Sequence, residues 1–413
     1  MSELNIKGAI AQKSAQVLIN ALGKIDGALL KMADALEANT DYILGENQKD
    51  IANAKENGMN PQLQDRLLLT PERIEQIATG IRQVAALDSP LGKILHEATR
   101  PNGLKIEKIT VPLGVIGIIY ESRPNVTADA AVLCLKSGNA VILRGGKEAI
   151  FSNIAIVKVL VAAAKSADLP EGCIQLIEDT SRESAVGLMK LNEYLDVIIP
   201  RGGAGLIRSV MENATVPAIE TGTGNCHIFV DATADLVMAE NITINAKTTR
   251  PSVCNAAEKL LVHESIAEAF LPEVLTTLTK RGVDIRGCEK TCAIYPAATP
   301  IKADEWYLEY LDMIIGVKVI SDIDEAIAHI NKYSSKHSEA IVTEDNINAE
   351  QFLAHIDSSS VYVNASTRFT DGFEFGLGAE IGISTQKVHA RGPMGLLELT
   401  STKYLIRGEG QIR

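Results

Sequence analysis

The stretch Thr248-Thr249-Arg250-Pro251-Ser252-Val253-Cys254-Asn255-Ala256-Ala257 places one cysteine shortly after a proline, between a helical run ending near Lys247 and a strand-like run near Leu260. A cysteine at such a junction can face a cleft, where its thiolate is a nucleophile. The competing reading is a small buried hydrophobe, the common state of an intracellular cysteine. One cysteine motif does not decide between them.

Four other stretches carry polar groups where strands end. Gly138-Asn139-Ala140-Val141-Ile142-Leu143-Arg144-Gly145-Gly146-Lys147 reads as a buried strand running into a basic, glycine-bearing turn. Its backbone amides, with Arg144 and Lys147, could hold a phosphate or a ribose phosphate; an ordinary loop with solvent-facing charges is the alternative. Pro200-Arg201-Gly202-Gly203-Ala204-Gly205 also stands between a strand and a helix, as a dinucleotide turn does, without the G-x-G-x-x-G spacing. Glu220, in Ile219-Glu220-Thr221-Gly222-Thr223-Gly224-Asn225-Cys226-His227, is an acid/base or a capping acid. Asn125, in Tyr120-Glu121-Ser122-Arg123-Pro124-Asn125, could donate to an oxyanion or cap the helix expected from 126.

The elements that must position these residues can be read from hydrophobic spacing. Residues 8–37 carry apolar side chains at helical spacing, and a second helical run stops near Gly58. Thr70-Pro71-Glu72 opens another helix to about Leu87 as N-cap, N1 proline and first-turn acid. From Leu104 to Ile109 the pattern alternates like a two-faced strand. Short Val/Ile-rich runs at 115–120, 140–143, 174–177 and 197–199 then alternate with helix-length segments at 126–137, 151–166 and 181–191. After Gly222 the same pattern restarts, with strands at 227–230, 259–262, 314–320, 339–343 and 360–363 and helices between them. Near-continuous apolar strands alternating with helices predict an α/β chain whose parallel sheets are covered on both faces, with ligands at the carboxyl ends of the strands.

Composition sets the limits. The 413 residues are 46% hydrophobic and 22% charged, which is enough apolar matter for two or three packed domains. A net charge of −12, spread along the chain, disfavours nucleic acid and anionic membranes but leaves anionic small substrates open. The N-terminus lacks a basic stretch followed by an apolar run, and apolar windows such as 115–120 are too short for a bilayer. The six cysteines form no Cys-x-x-Cys pair, and no histidine pair near Cys288 and Cys292 completes a zinc site. These features predict a cytoplasmic protein with reduced thiols and no metal.

The pieces above occur in a fixed order: Pro112–Gly117, Asn125, Gly138–Val141, Gly202-Gly203, Glu220-Thr221-Gly222, then Cys254. In that order they resemble the aldehyde dehydrogenase superfamily. Tyr120–Thr127, Leu143–Glu148, Glu220–His227, Arg250–Asn255 and Phe373–Ser384 are similar, more narrowly, to the branch that reduces γ-glutamyl phosphate. That resemblance covers essentially the whole chain. It implies NADPH-dependent reduction of L-glutamyl 5-phosphate to glutamate 5-semialdehyde and phosphate, in proline biosynthesis, through a thioester on Cys254. It also implies an oxyanion donor in Asn125 and cofactor contacts from Arg144, Gly145, Gly146, Lys147, Gly202, Gly203 and Glu309. Where many members have Lys-Pro-Ser-Glu, this chain has Arg144-Gly145-Gly146-Lys147, and a lysine there suits the 2′-phosphate of NADP. Glu220 aligns with the acid that activates water in hydrolytic members, the nearest alternative activity. Arg123, Arg250 and Ser252 are candidates for the substrate carboxylate.

The implied architecture is aldehyde dehydrogenase-like. A Rossmann-type cofactor domain comprises 1–103, 116–222 and part of 361–400; a catalytic domain with Cys254 spans 223–360; a small β arm is formed by 104–115 and 401–413. Exposed arm strands favour pairing with another subunit, hence a homo-oligomer. A functional association with the glutamate 5-kinase that would supply so labile a substrate is a further expectation.

Overall fold

Val115–Tyr120 is buried at all six positions, as a strand covered on both faces must be. In the computed structural model, which describes residues 2–413 apart from the Pro61 and Gln62 side chains, this strand lies inside a four-stranded parallel sheet. The order is Ile174–Leu176, Ala140–Arg144, Val115–Tyr120, Val197–Arg201. Alternate residues serve one face: Val115, Ile119, Ala140, Ile142 and Ile198 share a core cluster with Leu188 and Met189 of the Arg182–Met189 helix and with Ala11. This sheet belongs to a unit made of Met1–Thr221, Gly376–Gly382 and Met394–Arg413.

The helical N-terminal run is interrupted. Glu3–Leu18 and Ile25–Ala38 are α-helices joined by a tight 3₁₀ turn over Ile19–Lys24. Pro71–Ala86 begins as its sequence predicts, with Thr70 Oγ1 accepting the Arg73 N–H at 3.2 Å. The 147–166 segment corrects the expectation that every apolar window is short, since by length and composition it could cross a membrane. It packs as a core helix instead, most of its inner face being buried. Asp50 caps its first turn from a neighbouring helix, accepting the N–H groups of Phe151 (3.2 Å) and Ser152 (2.8 Å). Burial pushes the Asp50 carboxyl above its ordinary range. The same unit carries a three-stranded antiparallel sheet in the order Ile94–Thr99, Lys105–Pro112, Thr400–Arg407, with Lys105 opposite Arg407 and Thr400 opposite Pro112.

The second unit, Gly222–Phe375 with Ile383–Pro393, is built on a seven-stranded parallel sheet. Its central strands are Ile314–Ile320, Ala257–His263, Cys226–Val230 and Ser338–Val342, in that order. Strand alternation feeds two cores. Ile228, Val230, Leu260 and Val262 meet Leu271 and Val274 of the Glu264–Lys280 helix, while Phe229, Leu261 and Ile341 meet Ile330 and Phe352. Two strands at one edge, Asp284–Gly287 and Thr299–Pro300, and the Glu289–Ile294 helix go beyond the elements legible from periodicity. Cys288 and Cys292 are absorbed there: Cys288 Sγ accepts the Val319 N–H, and Cys292 Sγ lies 3.5 Å from the Gly287 carbonyl.

Candidate active site

Cys254 occupies the turn between the Leu236–Thr248 helix and the Ala257–His263 strand. It is half-buried, whereas Cys134, Cys173 and Cys226 are buried, so the small-hydrophobe reading fits those three rather than Cys254. The turn is clamped from both sides. On one side Gly224 presses its backbone against Cys254, and a β-carbon at Gly224 would overlap the Cys254 carbonyl. That carbonyl also accepts the Cys226 S–H at 3.1 Å. On the other side the Asn255 carbonyl accepts Thr367 Oγ1–H at 2.7 Å, and Asn255 Nδ2 donates to the carbonyls of Arg368 (3.2 Å) and Thr370 (2.9 Å).

Arg368 is the residue here that sequence reasoning missed. Burial lowers its guanidinium pKa; the charge of Arg250 adds to that and Cys254 opposes it, so the two arginines and the cysteine share one electrostatic neighbourhood. Arg368 Nε is buried without a hydrogen-bond partner among the described residues. Arg250 is exposed and Ser252 half-buried in the same turn. Nothing near Arg368 in sequence resembles an anion motif; the contact of its carbonyl with Asn255 Nδ2 brings it beside the Cys254 turn.

Glu309 is half-buried in the same unit, and its Oε1 accepts the Gly224 N–H at 2.6 Å. Burial raises its pKa, opposed by that N–H and by Lys259. Behind it lie charges with no access to solvent: Lys247 beside Glu258 at 3.3 Å, and Lys259 donating to Asn225 Oδ1 (2.9 Å) and the Leu308 carbonyl (2.7 Å). Burial pushes Glu258 up and Lys259 down. His227 and Glu339, 3.1 Å apart and fully buried, have the geometry of an ion pair. Burial drives Glu339 up and His227 well below its ordinary value, so both partners are pushed toward their neutral forms.

In the other unit, Asn125 is not the helix cap. The helix runs Pro124–Lys136 with Arg123 at the N-cap, which places Asn125 in the first turn. Its Nδ2 donates to Asp129 Oδ2 at 3.0 Å, one of the two N–H bonds an amide can make, and Asp129 is pushed up to about 6 by burial. Arg123 and Asn125 are exposed. Glu220 is half-buried; beside it, buried Thr221 donates Oγ1–H to the Pro200 carbonyl at 2.7 Å.

The residues expected to hold a dinucleotide divide. Arg144 donates to the carbonyls of Thr180 (2.7 Å) and Ser181 (2.9 Å), so its guanidinium braces a loop instead of projecting into the turn. Gly145 lies flush against Asn153 and the Tyr120 ring, which leaves no room for a side chain. Lys147 is exposed at the turn. Gly203 caps the Ala204–Asn213 helix without a side chain, and its N–H is held by Glu121 Oε2 at 2.8 Å. The exposed lysine fits an anionic cofactor; the Gly203 N–H, taken by the Glu121 carboxylate, and Arg144, as placed, do not.

Against known proteins, the sequence profile of the aldehyde dehydrogenase family matches residues 27–306. The γ-glutamyl phosphate reductase of Clostridium perfringens (strain 13) is 59% identical over 413 residues, covering 100% of both chains. The chain belongs to the γ-glutamyl phosphate reductases of the aldehyde dehydrogenase family. The Carboxydothermus hydrogenoformans γ-glutamyl phosphate reductase is 61% identical over 386 residues, covering 94% of this chain and 93% of that one. The crystal structure of the Thermotoga maritima γ-glutamyl phosphate reductase is similar with a TM-score of 0.98 at 50% identity, covering 100% of both. An acetylating aldehyde dehydrogenase from Geobacillus thermoglucosidasius shares the fold, with a TM-score of 0.71 at 18% identity over 100% of this chain and 97% of that one.

Proposed function

We propose that this chain reduces L-glutamyl 5-phosphate to L-glutamate 5-semialdehyde, releasing phosphate, as a step of proline biosynthesis. The observation that carries the reading is the clamped, half-exposed Cys254 turn in a chain matching γ-glutamyl phosphate reductases from end to end. The Cys254 thiolate attacks the acyl carbon, the carbon–oxygen bond to phosphate breaks, and a thioester forms. NADPH, when bound, supplies the two electrons that convert the thioester to a thiohemiacetal. Collapse of that adduct expels the thiolate and releases the aldehyde.

Negative charge builds on the acyl oxygen at both additions, and donors fixed in advance lower that barrier. The family pattern gives this role to Asn125 and the Cys254 backbone N–H. Lys147 and the turn at Gly202 and Gly203 are assigned to the cofactor, with Lys147 selecting the 2′-phosphate of NADP. Glu309 is assigned to the cofactor ribose. Arg250, Ser252 and the newly found Arg368 are assigned to the substrate's anionic groups, with Arg123 as a further candidate. Glu220 is given loop shaping or proton handling, because a thioester destined for reduction gains nothing from an activated water. The enzyme is read as a cytoplasmic homo-oligomer, acting beside the glutamate 5-kinase that makes its substrate. Turnover by Cys254→Ala tests the assignment: loss of all reduction is expected, and undiminished reduction overturns it.

A further inference from the structure

We propose that Glu309 is a positioning residue for the nucleophile, acting on Cys254 through the Gly224 backbone whether or not a cofactor is bound. The inference rests on the reading of Cys254 as the nucleophile. Glu309 Oε1 takes the Gly224 N–H at 2.6 Å, and Gly224 in turn lies so close to Cys254 that no side chain fits between them. The chain Glu309–Gly224–Cys254 is therefore continuous contact, with one hydrogen bond and one backbone-on-backbone packing.

The flanking residues leave this chain little slack. Asn225 donates its backbone N–H to Ser335 Oγ at 2.8 Å and its Nδ2 to the carbonyls of Trp306 and Tyr333, both at 2.8 Å. Lys259, buried between the segments, grips Asn225 Oδ1 with one N–H and the Leu308 carbonyl, adjacent to Glu309, with another. Its ammonium also lies 4.4 Å from the centre of the Tyr310 ring, on the other side of Glu309. Cys226 completes the loop by donating its S–H to the Cys254 carbonyl at 3.1 Å. Residues 308–310 and 224–226 are thus tied together twice, and the second segment is the wall on which the Cys254 turn rests. A shift of Glu309 moves Gly224, and a shift of Gly224 moves Cys254. Acyl attack is sensitive to such shifts, since displacement of a reacting group by about 1 Å can cost on the order of a hundredfold in rate.

The test uses acyl transfer without cofactor. p-Nitrophenyl acetate acylates a reactive thiolate, and the nitrophenolate burst reports the rate at the cysteine missing from Cys254→Ala. Glu309→Gln keeps an acceptor oxygen at the same reach and should burst within about twofold of wild type. Glu309→Ala loses the acceptor and Glu309→Asp withdraws it by one methylene while keeping the charge; both should slow the burst about tenfold or more. Glu309→Asp also serves if Glu309→Ala fails to fold. Bursts at the wild-type rate in Glu309→Asp and Glu309→Ala, with only NADPH binding by fluorescence weakened, would overturn the proposal and leave Glu309 a cofactor contact. A burst that persists in Cys254→Ala would instead refute the assigned nucleophile.

Discussion

Cys254 is held by its backbone, because its neighbours grip its carbonyl and the groups of Asn255 while the side chain stays half-exposed. Gly224→Ala should therefore be among the most damaging single-methyl changes in the protein. The added carbon meets main chain, which cannot swing aside as a flexible side chain can. Expected is a fall in kcat of at least about a hundredfold, read with the nitrophenolate burst and with circular dichroism to confirm folding; a burst at the wild-type rate would contradict the packing argument. Asn125→Ala tests the oxyanion assignment: removal of one such donor costs about 10²–10³ in kcat, with KM for the semialdehyde little changed. Arg368→Met should act the other way, raising that KM about tenfold or more while leaving kcat within a few-fold, as expected when a charge-assisted contact is lost from ground state and transition state alike. A KM equal to wild type would remove Arg368 from the substrate site. Cys254 and Asn125 were visible in sequence because the family pattern marks them. Arg368 was not, because it reaches the cysteine only through a fold contact far along the chain.

At the scale of elements, the parallel sheets place charged and polar groups where water cannot follow. Glu339 on the Ser338–Val342 strand accepts the His227 N–H at 2.7 Å and is raised by burial to about 8 from an ordinary value of 4.5. Its folded pKa exceeds its unfolded one, so the native state binds the extra proton between about pH 4.5 and 8. The associated stability is complete below that window and is lost as pH rises through it, at up to about 1.4 kcal/mol per pH unit. Glu339→Gln, which cannot titrate, should lack this component; chemical denaturation of both proteins from pH 5 to 8 should show their difference changing steadily with pH. A constant difference would mean that Glu339 is ionised throughout. His329 and His337 act on the acid side: burial lowers them to about 2 and about 4, so they withdraw stability as pH falls below about 6.5.

Most strands around these groups were legible because a doubly covered strand is apolar without interruption, as in Val115–Tyr120 and Ala257–His263. The Ile94–Thr99 strand was not: it is exposed at five of its six positions and pairs along one edge only, so no apolar alternation marks it. The break at Ile19–Lys24 was hidden as well, because apolar residues keep helical spacing across it while the backbone tightens.

For the whole molecule, the antiparallel sheet of Ile94–Thr99, Lys105–Pro112 and Thr400–Arg407 bears most directly on assembly. Ile94, Leu95, Tyr404 and Ile406 stand on its two outer strands, each more than half exposed. Unpaired edges lined with large apolar side chains are liabilities unless another chain covers them. Tyr404→Lys combined with Ile406→Lys should therefore reduce the mass measured by light scattering below that of wild type; an unchanged mass would mean that this sheet makes no subunit contact. Cofactor choice is tested by Lys147→Glu, which should shift the kcat/KM ratio from NADPH toward NADH, and an unchanged ratio would contradict the role given to that lysine. Sequence order made the family readable. It could not show that Arg144 braces the 180–181 carbonyls or that Glu309 holds Gly224, because both are facts of loop packing.

The proposed Cys254 thioester forms from, and returns to, an acyl phosphate. The most direct measurement follows NADP reduction by glutamate 5-semialdehyde with phosphate present, absent, or replaced by arsenate. Turnover is expected to require phosphate or arsenate and to fall to background without either. Sustained NADP reduction in their absence, with free glutamate as the product, would show water taking the acyl group and would contradict it.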